Sequence, residues 1–290
     1  MQDNTGAARP RIFGAPLRYI QGPGALAQVG ALARLSGRRA LLVSDPFVLD
    51  LVCARVVASC AAAGVACTLL PFAGETTPAE LRRLVASVGE QQPALVIAAG
   101  GGKGIDIGKA LAKALDAAVI TLPTAASNDA PTSKIFVLYD EDHRLLSVEH
   151  MDHNPAAVVV DTALIAQAPA RLLLAGIGDA LSKKFEVANC AAAGGANVFG
   201  GTGTHTALAL AELSYTLLRT HALPAMQAVQ RGEPDAHVES LVEATVLLSG
   251  LCFENGGLSI AHALTRGLSA LPGAAQALPG LQVAYGLLVQ

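Results

Sequence analysis

The densest chemistry in this chain lies where a short aliphatic run, Leu95 to Ala99, meets Gly100-Gly101-Gly102-Lys103-Gly104 and a helical pattern follows from about Ile105 to Leu115. Glycines let a backbone turn tightly and approach a ligand, and free N–H groups at a helix start attract a phosphate's charge. The spacing matches neither the Rossmann fingerprint nor the Walker A motif. A strand-turn-helix junction still suits a dinucleotide pyrophosphate, with Lys103 as a point charge beside it; a plain turn is the competing reading. Asp45 stands two positions beyond a second run, Ala40 to Val43. Its carboxylate could accept hydrogen bonds from a ribose diol or cap the helix beginning near Val48, and the pattern does not choose. A third strand end opens the loop Pro123 to Pro131, where Thr124 and Ser127 could bind a phosphate or a nicotinamide amide.

These loops need a frame. Up to about Asp161, β-branched runs alternate with alanine- and leucine-rich helical patterns: strands at 39–44, 65–71, 95–99, 119–122 and 157–160, helices at 48–63, 78–89 and 105–115, and a hairpin at 135–148. Strands buried on both faces with crossover helices imply a mostly parallel sheet, whose ligands sit beyond the strands' carboxyl ends. Beyond Pro169 the pattern is helical, at 170–192, 204–220, 236–253 and 259–271. The fold class expected is therefore an α/β dinucleotide-binding domain over 1–165 followed by an all-α domain over 166–290. The apolar tail Leu281 to Gln290 has no cap and no polar fade-out, so the second domain is expected to be incomplete.

Composition narrows the classes. Of the 290 residues 52% are hydrophobic and 15% charged, yet no apolar stretch reads as a membrane span, and residues 1–10 lack a signal peptide's apolar region. The net charge of −3 and the lack of a basic run argue against nucleic acid. Five cysteines without a CxxC pattern suit a reducing compartment, so a cytoplasmic protein is expected.

Longer motifs agree in order with one family. GGGKGIDIGKA at 100–110 resembles the pyrophosphate signature of the iron-containing (group III) alcohol dehydrogenases, and LPTAASNDAP at 122–131 resembles their PT-x-AS-x-DAP loop. VSDPFVLDL at 43–51, the stretch 154–186 and NGGLSIAHALTRGLSALP at 255–272 also resemble the glycerol dehydrogenase branch, and the likeness covers 10–290. The resemblance implies the group III fold, shared with dehydroquinate synthase. It implies NAD, and zinc or another divalent metal, in a cleft between the domains. It places Gly100, Gly101, Gly102, Lys103, Asp106, Thr124 and Ser127 at the cofactor and Asp45 on its ribose. Asp129 would lie near substrate hydroxyls, and Asp179 and His262 would ligate the metal. The family's third ligand, a histidine, falls at Pro279, which offers no side-chain donor.

The expected activity is hydride transfer between NAD and a small polyol such as glycerol, impaired by the missing ligand, with a homo-oligomer open. Alternatives are another polyol or a phosphorylated substrate, or a non-catalytic remnant that keeps the dinucleotide pocket. His143, His150, His153, His205, His221 and His237 read as surface or helix-start residues.

Overall fold

The computed structural model describes residues 9–89, 92–142, 144–274 and 276–290, so His143 lies outside the described residues. The strands are β1 (Tyr19–Gly22), β2 (Arg39–Ser44), β3 (Ala66–Pro71), β4 (Leu95–Gly100), β5 (Ala118–Pro123), β6 (Ile135–Tyr139), β7 (Leu145–His150) and β8 (Ala157–Asp161). All but β6 and β7 join one sheet in the order β1-β8-β5-β4-β2-β3, and every pairing in it is parallel. β6 and β7 form the expected antiparallel hairpin. The aliphatic runs of β4 and β8 are buried along their whole length, as strands covered on both faces must be.

Helices α1 (Val29–Ser36) and α2 (Pro46–Ala62) cover one face, where Val29, Val52 and Val56 pack on Leu42, Ile97 and Ile120. Helices α3 (Pro78–Val88) and α4 (Gly102–Ala114) cover the other, through Leu84, Ile105 and Leu111 against Leu41, Val43 and Val96. Thus β2 and β4 are neighbours whose following helices leave to opposite sides. A crevice opens there, at the sheet's topological switch point, between the turns at Asp45 and Gly101. Two glycines let α4 lie close on β4: a Cβ at Gly104 would stand 2.4 Å from the Ala99 carbonyl oxygen, and one at Gly108 2.2 Å from the Ala98 Cβ.

Helices follow: α5 (Thr162–Ile165), α6 (Ala170–Ala192), α7 (His205–Arg231), α8 (Ala236–Val242), a π-helical stretch over Glu243–Leu248, α9 (Ser249–Gly256), α10 (Ile260–Leu268) and α11 (Pro279–Val289). α6 is the central rod, packed on α7, α9 and α11. The segment Ala236–Gly256 is long and apolar enough to cross a membrane, but 61% of its most apolar window is buried inside the protein. The apolar tail forms α11, docked on α6 and α10, and the Gln290 side-chain oxygen accepts bonds from the Ser259 hydroxyl and the Ala261 N–H.

Several elements differ from the sequence expectations, which included neither α1 nor α5. α4 starts at Gly102, not Ile105, so the glycines form its first turn. α7 continues through Pro224 to Arg231. β1 went unnoticed because its four residues, YIQG, are half-buried at the sheet edge and show no alternation.

Candidate functional site

The crevice deepens into a cleft of about 870 Å³ between the sheet's carboxyl edge and the helical half. Asp45, Gly101, Gly102, Lys103, Asp106, Thr124 and Ser127 line it on the sheet side; Asp129, Asp179, His262 and Pro279 line it as well. One cavity thus gathers nearly all the residues singled out by sequence. Gly100 sits just behind, at φ +130°, where its carbonyl accepts the Thr124 N–H at 3.1 Å and couples the two loops.

The glycine turn is open. Gly101 caps α4 without a side-chain partner, and a Cβ built on it would meet nothing within 4 Å. The backbone at Gly101 is therefore open to close approach, whereas a Cβ at Gly102 would stand 2.7 Å from the Asn128 side-chain nitrogen. Asp45 does cap α2, accepting the Val48 N–H at 3.1 Å, and also lines the cleft, so both readings of this residue remain compatible with its position. Lys103 and Asp106 have partners that the motif did not suggest. The Lys103 ammonium pairs with Glu75 at 2.6 Å. Asp106 is buried and accepts the Val137 N–H at 3.2 Å, tying α4 to the hairpin; burial pushes its carboxyl up to about 7. Lys109, also buried, donates to the carbonyls of Ala130 and Ile135 and so fixes the end of the 122–131 loop.

In the cleft the helices bring Asp179 and His262 together, as the resemblance implied, and add Lys183 and Glu186, which it did not. Asp179 and His262 approach to 3.2 Å, between α6 and α10. Lys183, one turn beyond Asp179, places its ammonium beside both: 2.8 Å from Asp179 Oδ1, 3.1 Å from His262 Nε2, and 3.0 Å from Asp129 Oδ2. Ser249 donates to Asp129 at 2.8 Å. Glu186, fully buried two turns along α6 from Asp179, meets His262 Nδ1 at 2.5 Å and accepts the backbone N–H groups of Ser259 and His262, so it caps α10 and orients the ring. Burial and the Lys183 charge would lower the His262 pKa, but its bonds to Asp179 and Glu186 raise it, and Nε2 lies between the Lys183 ammonium at 3.1 Å and Asp179 Oδ1 at 3.2 Å.

The charges reinforce one another. Burial alone would lower the Lys183 pKa, but the Asp129 and Asp179 carboxylates outweigh it and raise it. Burial would raise Asp179; the adjacent ammonium and His262 hold it well below the usual carboxylate range. Asp129 goes the other way, raised by burial and by the neighbouring Asp179 charge. Burial likewise opposes Glu186, which its bonds to His262 bring down to about 2.

A divalent metal does not fit this donor set. Zinc lies about 2.0–2.2 Å from nitrogen and oxygen ligands, so an ion shared by Asp179 and His262 would stand within roughly 4 Å of the Lys183 ammonium. Unit charges ~4 Å apart repel by ~4 kcal/mol at an effective dielectric near 20, and a dication by about twice that. The third position is Pro279, the first residue of α11, and it lines the cleft with no donor. Among the described residues no group of three or more His, Cys, Asp or Glu side chains is placed to hold a metal. Lys183 and Glu186 escaped the sequence reading, although their spacing from Asp179, four and seven residues, marks one helix face.

The iron-containing alcohol dehydrogenase family model matches residues 16–162. The chain is 40% identical to a glycerol dehydrogenase of Escherichia coli O6:H1 over 280 residues, which cover 97% of this chain and 76% of that protein. It is 38% identical to a glycolaldehyde reductase of Halobacterium salinarum over 279 residues, 96% of this chain and 76% of the relative. Among solved structures it superimposes with a TM-score of 0.93 on glycerol dehydrogenase from Schizosaccharomyces pombe, at 34% identity, covering 98% of this chain and 72% of that one. A probable glycerol dehydrogenase from Sinorhizobium meliloti 1021 gives 0.90 at 36% identity, with 96% and 77% covered.

Proposed function

This chain belongs to the iron-containing alcohol dehydrogenase family, in its glycerol dehydrogenase branch, and on that premise we propose that its cleft transfers hydride between NAD and a small vicinal polyol or the matching hydroxycarbonyl. The observation that carries the reading is that one cavity joins an open glycine turn at the sheet's switch point to a cluster of polar side chains at its inner end. The dinucleotide's pyrophosphate rests against the first N–H groups of α4, where helix-end partial charge favours an anion. Thr124 and Ser127 flank the nicotinamide end. The substrate sits between the nicotinamide and the inner cluster, its carbon in line with the ring's C4, and that placement converts much of the barrier into binding. Asp129 accepts a hydrogen bond from the hydroxyl next to the reacting one, which selects polyols with adjacent hydroxyls. His262, held by Glu186, stands beside the reacting oxygen.

Asp45 sets the cofactor. A carboxylate at the ribose accepts from the 2′-hydroxyl and repels a 2′-phosphate. NAD is expected to bind at least about tenfold more tightly than NADP, a difference of about 1.4 kcal/mol, and Asp45→Ser to narrow the gap. Fluorescence titration with both reduced cofactors measures it; tighter NADPH binding by the unaltered chain would remove Asp45 from the ribose.

The test of the activity is glycerol-dependent NAD reduction, followed at 340 nm, with dihydroxyacetone- and glycolaldehyde-dependent NADH oxidation in parallel. Turnover that saturates with both cofactor and polyol is expected. A folded chain that binds no NADH excludes the reading.

A further inference from the structure

We propose that Lys183 stands in for the divalent ion: its ammonium draws Asp129, Asp179 and His262 to one point at the inner end of the cleft, and the polyol reaction runs without a bound metal. This rests on the oxidoreductase reading above. An ammonium has three N–H groups and no lone pair; here the Asp179 and Asp129 carboxylates accept at 2.8 and 3.0 Å, and His262 Nε2 lies 3.1 Å away. The side chain is only 1% exposed and its charge lies 5.4 Å over the Phe253 ring, so it belongs to the packed interior and is not a surface lysine folded inward. A buried cation persists only where its partners are complete.

The two departures from a metal centre describe one arrangement. Pro279 removes a donor, and Lys183 adds a cation that needs no further one. A fixed single charge on a side chain is also indifferent to the third ligand's absence, whereas a catalytic zinc ordinarily uses three protein ligands. Glu186 completes the site by taking the Nδ1–H of His262 and turning Nε2 toward the ammonium.

Lys183 is a positioning residue. It touches Asp129 and His262, which face the substrate, and it places a positive charge one hydrogen bond behind them. Negative charge that builds on the substrate oxygen during hydride transfer is offset from there. In reduction, hydride leaves NADH C4 for the carbonyl carbon, the C=O π pair moves to oxygen, and oxygen gains one proton taken ultimately from water; oxidation reverses each step. NAD is the redox partner, so the electrons balance with no metal.

The experiment uses the full chain, purified and dialysed against a chelator. Metal content is measured by plasma mass spectrometry, NADH affinity by fluorescence, and dihydroxyacetone-dependent NADH oxidation with and without added zinc. The expected result is metal far below one equivalent and turnover that neither chelator nor zinc changes. Lys183→Ala is expected to lower kcat by roughly 100-fold or more while NADH affinity stays within about twofold, and added propylammonium to restore part of the rate. If that variant does not fold, the double variant Asp179→Asn, Lys183→Met removes the charge pair together, and the same loss of kcat is expected. Stoichiometric metal whose removal abolishes turnover overturns the inference, as does a folded Lys183 variant with undiminished kcat. A wild-type chain that binds NADH yet reduces none of the carbonyl substrates, chelated or not, overturns the catalytic half. A wild-type chain that binds no NADH strikes at the oxidoreductase reading instead, and its metal content still decides whether the lysine replaces the ion.

Discussion

Replacing Gly101 by leucine is expected to weaken NADH binding by at least about 100-fold, a loss near 2.7 kcal/mol, while the protein stays folded. The reason is geometric. Gly101 is the N-cap of α4, at φ −78°, a conformation open to any residue. A Cβ there clashes with nothing in the protein, since no atom lies within 4 Å. The added side chain therefore costs the fold little and projects into the cleft that the residue lines, where a pyrophosphate must approach the backbone. Its neighbours would make poor probes: a Cβ at Gly102 would stand 2.7 Å from the Asn128 side-chain nitrogen and one at Gly104 2.4 Å from the Ala99 carbonyl oxygen, so changes there disturb packing as well. Fluorescence titration beside a thermal melt separates the effects. Unchanged NADH affinity in a folded Gly101→Leu protein would remove the glycine turn from the cofactor site.

Asp129→Asn is expected to cut kcat/KM for glycerol by about 10–100-fold, the loss of one hydrogen bond to a charged acceptor worth roughly 1.5–3 kcal/mol. Asparagine keeps the shape and can still accept from Ser249, which donates to Asp129 at 2.8 Å. It loses the charge that pairs with Lys183 at 3.0 Å. Because the lost bond is the one to the neighbouring hydroxyl, the drop should be largest for adjacent diols and smallest for a simple alcohol such as 2-propanol. Parallel kinetics on glycerol and 2-propanol check this. Equal losses on both would place Asp129 at the reacting oxygen rather than beside it.

Much of the architecture was legible in the sequence because its signals are local. The aliphatic runs of β2, β4 and β5 and the helical period of α6 identify the parallel sheet and the helices after it. The glycine turn was legible too, since an aliphatic run that meets glycines and then a helical pattern marks a tight strand-to-helix junction. β1 was not, because an edge strand of four half-buried residues carries no period and is fixed only by its partner β8. The partners of Lys103 and Asp106 were also hidden: Glu75 and the Val137 N–H reach them from elements distant in sequence.

The inner cluster shows the limit most clearly. Asp179 and His262 stood out by resemblance, and Pro279 as a lost donor. The lysine four residues after Asp179 looked like any helix lysine, because nothing local says that its ammonium is buried. That depends on Asp129 arriving from the β5–β6 loop and on His262 arriving from α10 with Glu186 behind it. Three segments separated by tens of residues define the charge environment, and only their packing reveals it.

The most direct test of the proposed activity is glycerol-dependent NAD reduction by the purified full chain, with NADH titrated in the same preparation. Saturable NADH binding together with absorbance at 340 nm that rises only when both glycerol and NAD are present is the predicted result. A folded chain that binds no NADH and produces none from glycerol, or from any other vicinal polyol offered, would contradict it.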